Sequence, residues 1–327
     1  MSGANPGTGA APAVSVVVPA YGRPNALRDL LAALGSLEPP RGGFEVVVVD
    51  DGSPEPLEPA ARAAAGALDL VVLRTPNRGP AAARNAGMKH ARGELVAFTD
   101  DDCVPQRGWL AALAAAHERH PSALLGGANV TALCGNPWAE ATQALEDAVY
   151  ARANDDAQRA TFFAGKNMAG PREALRRVGG FDERFRNSED RELCERWRRE
   201  GMPLMHVPDA VVAHANPRSG RVFWRQHLGY GRGAYHFHRM NRRLGESGLR
   251  PDPADYASFV REPLRGRRRG GVPRLVVLAL VIGSQAASAS GYWLEALRAA
   301  RRPGIDGDGA TADAKARAGA TSGGARA

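Results

Sequence analysis

The sequence of 327 residues predicts an α/β fold built on a doubly wound, mostly parallel sheet. In the first half of the chain, short apolar runs rich in β-branched residues alternate with amphipathic stretches. These runs do not alternate strictly between apolar and polar residues, which is typical of strands covered on both faces. The order strand, helix, strand, helix then favours parallel strands joined by crossover helices.

The predicted strands of this half are VSVVVPA, FEVVVVDDGS, LDLVVLRT and ELVAFTDDD, at residues 14–20, 44–53, 68–75 and 94–102. Helical patterns follow them at about 24–37, 57–66, 78–91 and 107–119. Ligands of doubly wound sheets bind beyond the carboxyl ends of the strands. The polar segments AYGRP, DDGS and TDDDC stand at three such ends, and we therefore expect them to converge on one crevice.

The second half of the chain is less regular. Residues 161–170 suggest a strand and a turn, and residues 171–180 a helix with proline at its start and glycine at its end. A strongly signalled helix follows at 188–201, with Ser188 as N-cap, acids in its first turn and bases in its last. The remaining predicted elements are one or two short strands at 203–214, a basic and aromatic helix at about 219–243, and an apolar helix near 273–299.

The charge and cysteine content narrow the function classes. The net charge is +8, and a dense basic block lies at 261–271. Such a block either binds the phosphates of nucleic acid, nucleotides or anionic lipid, or is simply solvated.

The three cysteines are far apart without metal-type spacing, which predicts a reducing compartment and no disulfide framework. The N-terminus lacks a signal-peptide pattern, which predicts a cytoplasmic protein. Residues 1–13 and 301–327 are poor in large apolar side chains and are predicted to be disordered.

Three consecutive aspartates close the fourth predicted strand. Asp100 and Asp102 lie two positions apart in an extended segment and should point to one side, while Asp101 points away. They form either a polar turn or a site for Mg²⁺ or Mn²⁺, which bind through few carboxylates and substrate phosphates. Asp50 and Asp51 present the same choice, because they either cap a turn or accept hydrogen bonds from a nucleotide base or ribose.

A group of basic residues surrounds the third predicted helix. Arg78, Arg84 and Lys89 lie on this helix or just before it, and Gly79 permits a close backbone approach. Arginine is well suited to binding a diphosphate. The alternative is an ordinary solvated helix face.

Six segments taken in order resemble family 2 glycosyltransferases of the GT-A fold, and the matching motifs extend over about residues 14–215. These segments are SVVVPAYGRPNALRDLLAAL, VVVVDDGS, NRGPAAARNAG, GELVAFTDDDCVP, GKNMAGPREALRRVGGFDERF and SEDRELCERWRREG. The resemblance implies a GT-A catalytic domain at 14–215, a nucleotide-sugar donor, a divalent cation and transfer with inversion at the anomeric carbon. Residues 216–300 would then form a helical C-terminal region.

The resemblance also implies a role for individual residues. Donor binding falls to Pro19, Ala20, Tyr21, Arg23, Asp50, Asp51, Arg78, Gly79, Arg84, Asp100 and Asp101. The metal would be held by Asp100 and Asp102, with Asp102 favoured for direct contact, and by His214 if that histidine is not merely structural. Glu189 and Asp190 match the ED motif, whose aspartate is the general base, although Glu189 is equally suited to capping its helix.

Two residues of the GKNMAG segment are candidates for the acceptor side. Asn167 could contact the donor sugar or the acceptor. Lys166 departs from the family, which commonly has a small residue there, and this difference suggests an altered acceptor preference. The helix at 219–243 is expected to border the same acceptor site.

The apolar helix near 273–299 has three interpretations. It spans a membrane, lies on a membrane surface, or docks on the protein. Gly283, Ala287 and Gly291 recur every four residues and permit close helix packing. The basic block favours contact of residues 261–299 with anionic lipid.

The sequence therefore predicts a metal-dependent inverting glycosyltransferase, cytoplasmic or on the cytoplasmic membrane face. Its partners would be a UDP-, GDP- or dTDP-sugar and a hydroxyl acceptor on a polysaccharide, glycolipid or metabolite, lipid-linked acceptors included. A nucleotidyltransferase could share the sheet and the metal aspartates without needing the ED base, and a non-catalytic nucleotide-sugar-binding protein is a third option. Nucleic-acid binding would account for the charge but not for the aspartates, and we expect none.

Overall fold

The computed structural model describes residues 11–215, 217–244, 253–265 and 270–301. Most of the two termini predicted to be disordered, residues 1–10 and 302–327, lies outside the described residues, as does 266–269 of the basic block. Eight strands form one sheet: β1 Val14–Ala20, β2 Phe44–Asp50, β3 Asp69–Arg74, β4 Leu95–Phe98, β5 Cys103–Pro105, β6 Leu124–Thr131, β7 Met168–Pro171 and β8 Leu204–His214.

The sheet has the strand order β3-β2-β1-β4-β7-β6-β8-β5. Strands β3, β2, β1 and β4 are parallel, as the alternation of strands and helices predicted. Beyond β4 the sheet is mixed, because β7 is antiparallel to both β4 and β6, β8 is parallel to β6, and β5 is antiparallel to β8. The polar strand ends therefore meet where the parallel half joins the mixed half.

The described helices are α1 Pro24–Gly35, α2 Glu58–Ala64, α3 Pro80–His90, α4 Trp109–Arg119, α5 Pro137–Ala153, α6 Arg172–Val178, α7 Glu189–Arg199, α8 Gly220–Arg243, α9 Pro253–Arg265 and α10 Arg274–Arg301. Helices α5 and α9 were not predicted from the sequence. The start of α5 nevertheless carries a readable signal. Asn136 accepts hydrogen bonds from the backbone N–H groups of Trp138 and Ala139, and proline occupies the first helical position.

Strand β1 shows why the apolar runs do not alternate. All seven of its residues are buried. Val16 and Val18 pack with α1 and α4 on one face of the sheet, whereas Val17 packs with α3, α6 and α7 on the other. Both faces are covered by helices, so both sets of side chains must be apolar.

Helices α8 and α10 pack with their backbones in close contact. A Cβ atom added to Gly231 of α8 would lie 1.8 Å from the carbonyl oxygen of Ser288, and one added to Gly291 of α10 would lie 2.1 Å from that of Leu228. The Ser288 hydroxyl donates a hydrogen bond of 3.1 Å to the His227 carbonyl oxygen. Small residues on both helices therefore fix α10 against α8.

Helix α7 begins differently from the prediction. Ser188 precedes it but makes no capping hydrogen bond through its side chain, and its backbone is left-handed with φ of 69°. It is the one non-glycine residue with positive φ among the residues described. An added Cβ on Gly233 of α8 would lie 2.5 Å from the Ser188 hydroxyl oxygen, so α8 packs directly on this strained turn.

We predict that Gly231→Ala lowers the free energy of unfolding by roughly 1–3 kcal/mol, because the new methyl group would overlap the backbone of α10. Gly229→Ala, on the same helix, is the matched control. Its Cβ would lie 3.4 Å or more from its neighbours, and alanine is the better helix former. Chemical denaturation of both variants measures the difference, and equal stabilities would contradict the packing described for α8 and α10.

Candidate active site

The carboxyl ends of β1, β2 and β4 converge as expected. The backbone N–H of Tyr21 donates a hydrogen bond of 3.3 Å to Asp101, and that of Gly22 donates one of 2.9 Å to the Ser53 hydroxyl. A cavity of about 1130 Å³ opens beside them. The predicted site residues that line it are Pro19, Ala20, Tyr21, Arg23, Asp51, Arg84, Asp100, Asp102, Lys166, Glu189, Asp190 and His214.

Asp102 and His214 form the part of the cavity best suited to a cation. His214 Nε2 lies 3.4 Å from Asp102 Oδ1, and the ligand atoms of Asp102, Cys103 and His214 all lie within 4.8 Å of one another. Burial alone would raise the pKa of Asp102, but His214 and Arg23 outweigh it and hold that pKa well below its usual range. Burial raises the pKa of the Cys103 thiol, which therefore stays protonated and is a poor ligand. The carboxylate and the imidazole suit Mn²⁺.

Asp101 lies in the turn between β4 and β5 and, unlike Asp100 and Asp102, does not line the cavity. It is fully buried, and its carboxylate accepts hydrogen bonds of 3.3 Å from the Tyr21 backbone N–H and from Arg23 Nε. Burial raises the pKa of Asp101 to about 7, against the opposing charge of Arg23. The expectation of donor contact through Asp101 is therefore corrected, because its carboxylate braces the β1 turn and does not face the cavity.

Arg84 joins the aspartate segment to the ED motif. Its guanidinium donates hydrogen bonds of 2.7 Å to Asp100 and 2.7 Å to Glu189, and it lies 5.3 Å from the centre of the Phe181 ring. Its side chain is only 4% exposed. Burial would lower the guanidinium pKa, but the two carboxylates raise it above its ordinary value. Arg84 therefore fixes the end of β4 relative to the start of α7.

The two acids of the ED motif are held differently. Glu189 is paired with Arg84. Asp190 accepts hydrogen bonds from the backbone N–H groups of Gly165, at 3.2 Å, and of Arg191, at 2.8 Å. Its carboxylate lies at the N-terminus of α7 and lines the cavity.

Comparison with known proteins identifies the family of this chain. The sequence profile of "Glycosyl transferase family 2" matches residues 15–179. The chain belongs to this family. It is 35% identical over 213 residues to the "Pre-mycofactocin glycosyltransferase" of Mycobacterium tuberculosis, covering 62% of this chain and 42% of that protein. It is also 35% identical over 105 residues to the "Glycosyltransferase AglE" of Haloferax volcanii, covering 32% and 34% of the two chains.

The fold is GT-A. The mannosyltransferase PcManGT from Pyrobaculum calidifontis, solved in complex with GDP-Man and Mn²⁺, superposes with a TM-score of 0.57 and 24% identity over 89% of this chain and 81% of its own. The chain spans less than half the length of the curated relatives named above. The family match also ends at residue 179, before the ED motif, His214 and the C-terminal helices.

Asp50 serves the structure of this family 2 domain instead of lining the cavity. Its carboxylate accepts hydrogen bonds from the backbone N–H groups of Ser53, at 2.8 Å, and Leu57, at 3.1 Å, and pairs with Arg74 at 2.6 Å. Burial opposes these contacts, yet together they lower its pKa. The expectation that Asp50 contacts the donor is corrected, and Asp51 is the aspartate of this pair that reaches the cavity.

Arg78 and Gly79 also do not line the cavity. Their backbone N–H groups donate hydrogen bonds of 2.9 and 2.8 Å to the Asp51 carboxylate. The guanidinium of Arg78 pairs with Glu183 at 2.7 Å on the surface. Both residues therefore hold Asp51 in place, and the direct donor contact expected of them is corrected. Along this segment of the chain, Pro80 is the first residue that lines the cavity.

Asn167 is a structural amide. It is fully buried, its Oδ1 accepts a hydrogen bond of 2.8 Å from Trp109 Nε1, and its Nδ2 donates to the carbonyl oxygens of Ala128 and Ala210, each at 2.9 Å. The expected acceptor contact through Asn167 is therefore wrong. The neighbouring Lys166 points the other way and lines the cavity.

The wall that faces the strand ends was not predicted in detail. It comes from α5, α8, α9, α10 and nearby loops, and its aromatic members are Tyr150, Phe162, Tyr230, Phe237, Phe259, Tyr292 and Trp293. Lys166 Nζ pairs with Glu146 of α5 at 2.9 Å, and this charge raises the pKa of Lys166 although burial opposes it. The Asn136-Pro137 start of α5 was the signal that could have placed Glu146.

His227 of this wall should make the protein sensitive to acid. It is buried, and burial lowers its pKa from 6.5 to about 4, so the folded state binds its proton less readily than the unfolded chain. Its contribution is lost as the pH falls from 6.5 towards 4. We predict that His227→Phe reduces the loss of unfolding free energy between pH 7 and pH 4 by roughly 3 kcal/mol relative to the wild type.

Urea denaturation at several pH values measures this effect. His90→Phe, at the exposed end of α3, is the control and should follow the wild type. An unchanged pH profile for His227→Phe would show that His227 is not the acid-sensitive group.

Proposed function

We propose that the protein transfers a sugar from a nucleoside-diphosphate sugar to a hydroxyl acceptor, with inversion and with Mn²⁺ or Mg²⁺. One observation carries the proposal. In a domain of glycosyltransferase family 2, the Asp102–His214 pair and the carboxylate of Asp190 open onto the same cavity. A cation site and a base in one cavity are what this displacement requires.

The donor fits the strand-end side of the cavity. Pro19, Ala20 and Tyr21 would border the nucleotide, and Asp51 would accept hydrogen bonds from its base or ribose. The structural neighbour from Pyrobaculum was solved with GDP-Man, which supports a nucleoside-diphosphate sugar as ligand class. UDP-, GDP- and dTDP-sugars are the candidates.

Asp102 and His214 would hold the divalent ion, with Asp100 beside them. A bound ion stabilises the negative charge that develops on the departing diphosphate. Arg23 contributes a second positive charge, because its half-exposed guanidinium lines the cavity and pairs with Asp102.

Asp190 is the general base of the proposed reaction. It takes the proton from the acceptor hydroxyl while that oxygen forms a bond to the anomeric carbon. The bond from the anomeric carbon to the diphosphate oxygen breaks on the opposite face, and the nucleoside diphosphate leaves with the electron pair. Glu189 is a positioning residue, since its carboxylate is committed to Arg84.

The acceptor would lie against the aromatic wall. Aromatic rings bind both sugar faces and apolar chains, and the Lys166–Glu146 pair offers polar contacts at its base. A hydroxyl on a surface polysaccharide, a glycolipid or a metabolite fits this description. We favour a lipid-linked acceptor and a location at the membrane face, because the wall is continuous with the apolar helix α10.

We predict that Asp102→Asn weakens Mn²⁺-dependent donor binding at least about tenfold, since it removes a charged ligand. Calorimetric titration of UDP-, GDP- and dTDP-sugars with and without Mn²⁺ measures this. Asp29→Asn, on the exposed face of α1, is the control and should bind as the wild type does. If no nucleotide sugar binds, or if pyrophosphate is released from a nucleoside triphosphate instead, the proposed function is wrong.

We predict that Asp190→Asn slows turnover by roughly 10²–10⁴-fold while donor affinity stays unchanged, because the base acts only in the chemical step. Hydrolysis of the donor, with water as acceptor, is the assay until an acceptor is known. Glu189→Gln is the comparison. It leaves the base in place and should chiefly lower stability by disturbing the Arg84 contact. A normal rate for Asp190→Asn would remove this residue as the base.

A further inference from the structure

Helix α10 carries a continuous apolar stripe that faces away from the protein. The exposed residues recur every three or four positions and so occupy one helix face. We name this the outer stripe, and it consists of Leu275, Ala279, Ile282, Ala286, Ala289, Trp293 and Leu297. Leu275 is 74% exposed, Trp293 66%, and Ile282 and Leu297 56% each. No charged residue lies between Arg274 and Glu295.

The exposed large apolar side chains are concentrated in the C-terminal helices. Of the thirteen exposed large apolar side chains among the described residues, eight lie on α9 and α10. Contiguous apolar exposure of this kind marks a surface that binds a partner or a membrane. By length and composition α10 could cross a membrane, with a mean hydropathy of 1.5 over its most apolar window.

The packing of α10 excludes a simple span in this arrangement. Its inner face, which includes Val281 and Gly291, is buried, and its backbone touches that of α8 at Gly231. Helix α8 contains six arginines, whose charges are costly within a bilayer. A helix with one face against a charged neighbour and the other face apolar is suited to lie at the membrane surface.

The charge around the stripe is complementary to anionic lipid. Residues 261–301 contain eight arginines and two glutamates. Four of the arginines fall within residues 265–269, just before α10 in the chain, while Arg274 stands at one end of the stripe and Arg298 and Arg301 at the other. Basic residues near an anionic membrane surface are attracted to it electrostatically.

We propose that the outer stripe docks flat on an anionic membrane surface. The cavity reaches this surface, because Ala286, Ala289 and Trp293 belong both to the stripe and to the cavity wall. We infer further, resting on the proposed function, that the acceptor is an amphiphile that enters the cavity from the membrane across α10.

Flotation with phosphatidylcholine vesicles, with and without 30% phosphatidylglycerol, tests the docking. The wild type should float with the anionic vesicles, and the triple variant Leu275→Gln, Ile282→Gln, Leu297→Gln should float at least tenfold less. None of these three residues lines the cavity. Leu244→Gln is the matched control, since Leu244 is 57% exposed at the end of α8 and lies outside the stripe. The single variant Ile282→Gln gives a second reading if the triple variant folds poorly.

The proposal would be overturned if the triple variant and Ile282→Gln floated as well as the wild type does. It would also be overturned if the wild type did not float with the anionic vesicles. A wild-type dimer that the triple variant dissociates, without vesicle binding, would also overturn it and assign the stripe to a second copy. Nucleotide-sugar titration of the triple variant separates the two proposals. Donor binding should be unchanged, and its absence in the wild type would refute the proposed function while leaving the flotation result intact.

Discussion

A guanidinium buried between two carboxylates connects the parts of this protein that must act together. Arg84 belongs to α3, Asp100 follows the next strand β4, and Glu189 begins α7, 105 positions after Arg84, so three elements meet at one charge. Removing one partner of such a buried pair leaves an uncompensated charge, which typically costs about 3–5 kcal/mol. The contact therefore fixes Asp102 and Asp190, the neighbours of its two carboxylates, within one cavity.

The second wall of that cavity depends on close backbone packing. Gly231 and Gly291 allow α8 and α10 to touch, and Gly233 allows α8 to approach the strained residue Ser188 directly before the ED motif. The position of α7 is thus coupled to the C-terminal helices and not only to the sheet. This coupling extends beyond the region matched by the family profile, which ends at residue 179. We expect the residues that select the acceptor to lie in that later region.

The sequence predicted the parallel half of the sheet well, because both faces of these strands are buried and their β-branched runs are unambiguous. Of the mixed half, it predicted β8 and placed a strand near β7, but it missed β5, which has only three residues, and β6, which contains two glycines. Strand ends could be placed at the crevice by topology. The sequence could not show which of the adjacent carboxylates Asp50 and Asp51 faces the crevice. The donors that hold them differ: the backbone N–H of Ser53 in the following turn binds Asp50, whereas that of the distant Gly79 binds Asp51. Asn167 was misread because its partners come from three distant segments.

In the proposed reaction, one cavity holds the nucleotide sugar, the metal ion and the base. Anomalous diffraction at the manganese edge, from crystals grown with Mn²⁺ and a nucleoside diphosphate, tests it most directly. We expect a manganese peak in contact with Asp102 and His214, and a diphosphate in the same cavity on the side of Arg23. A nucleotide bound at another surface, or a peak distant from Asp102, would contradict it.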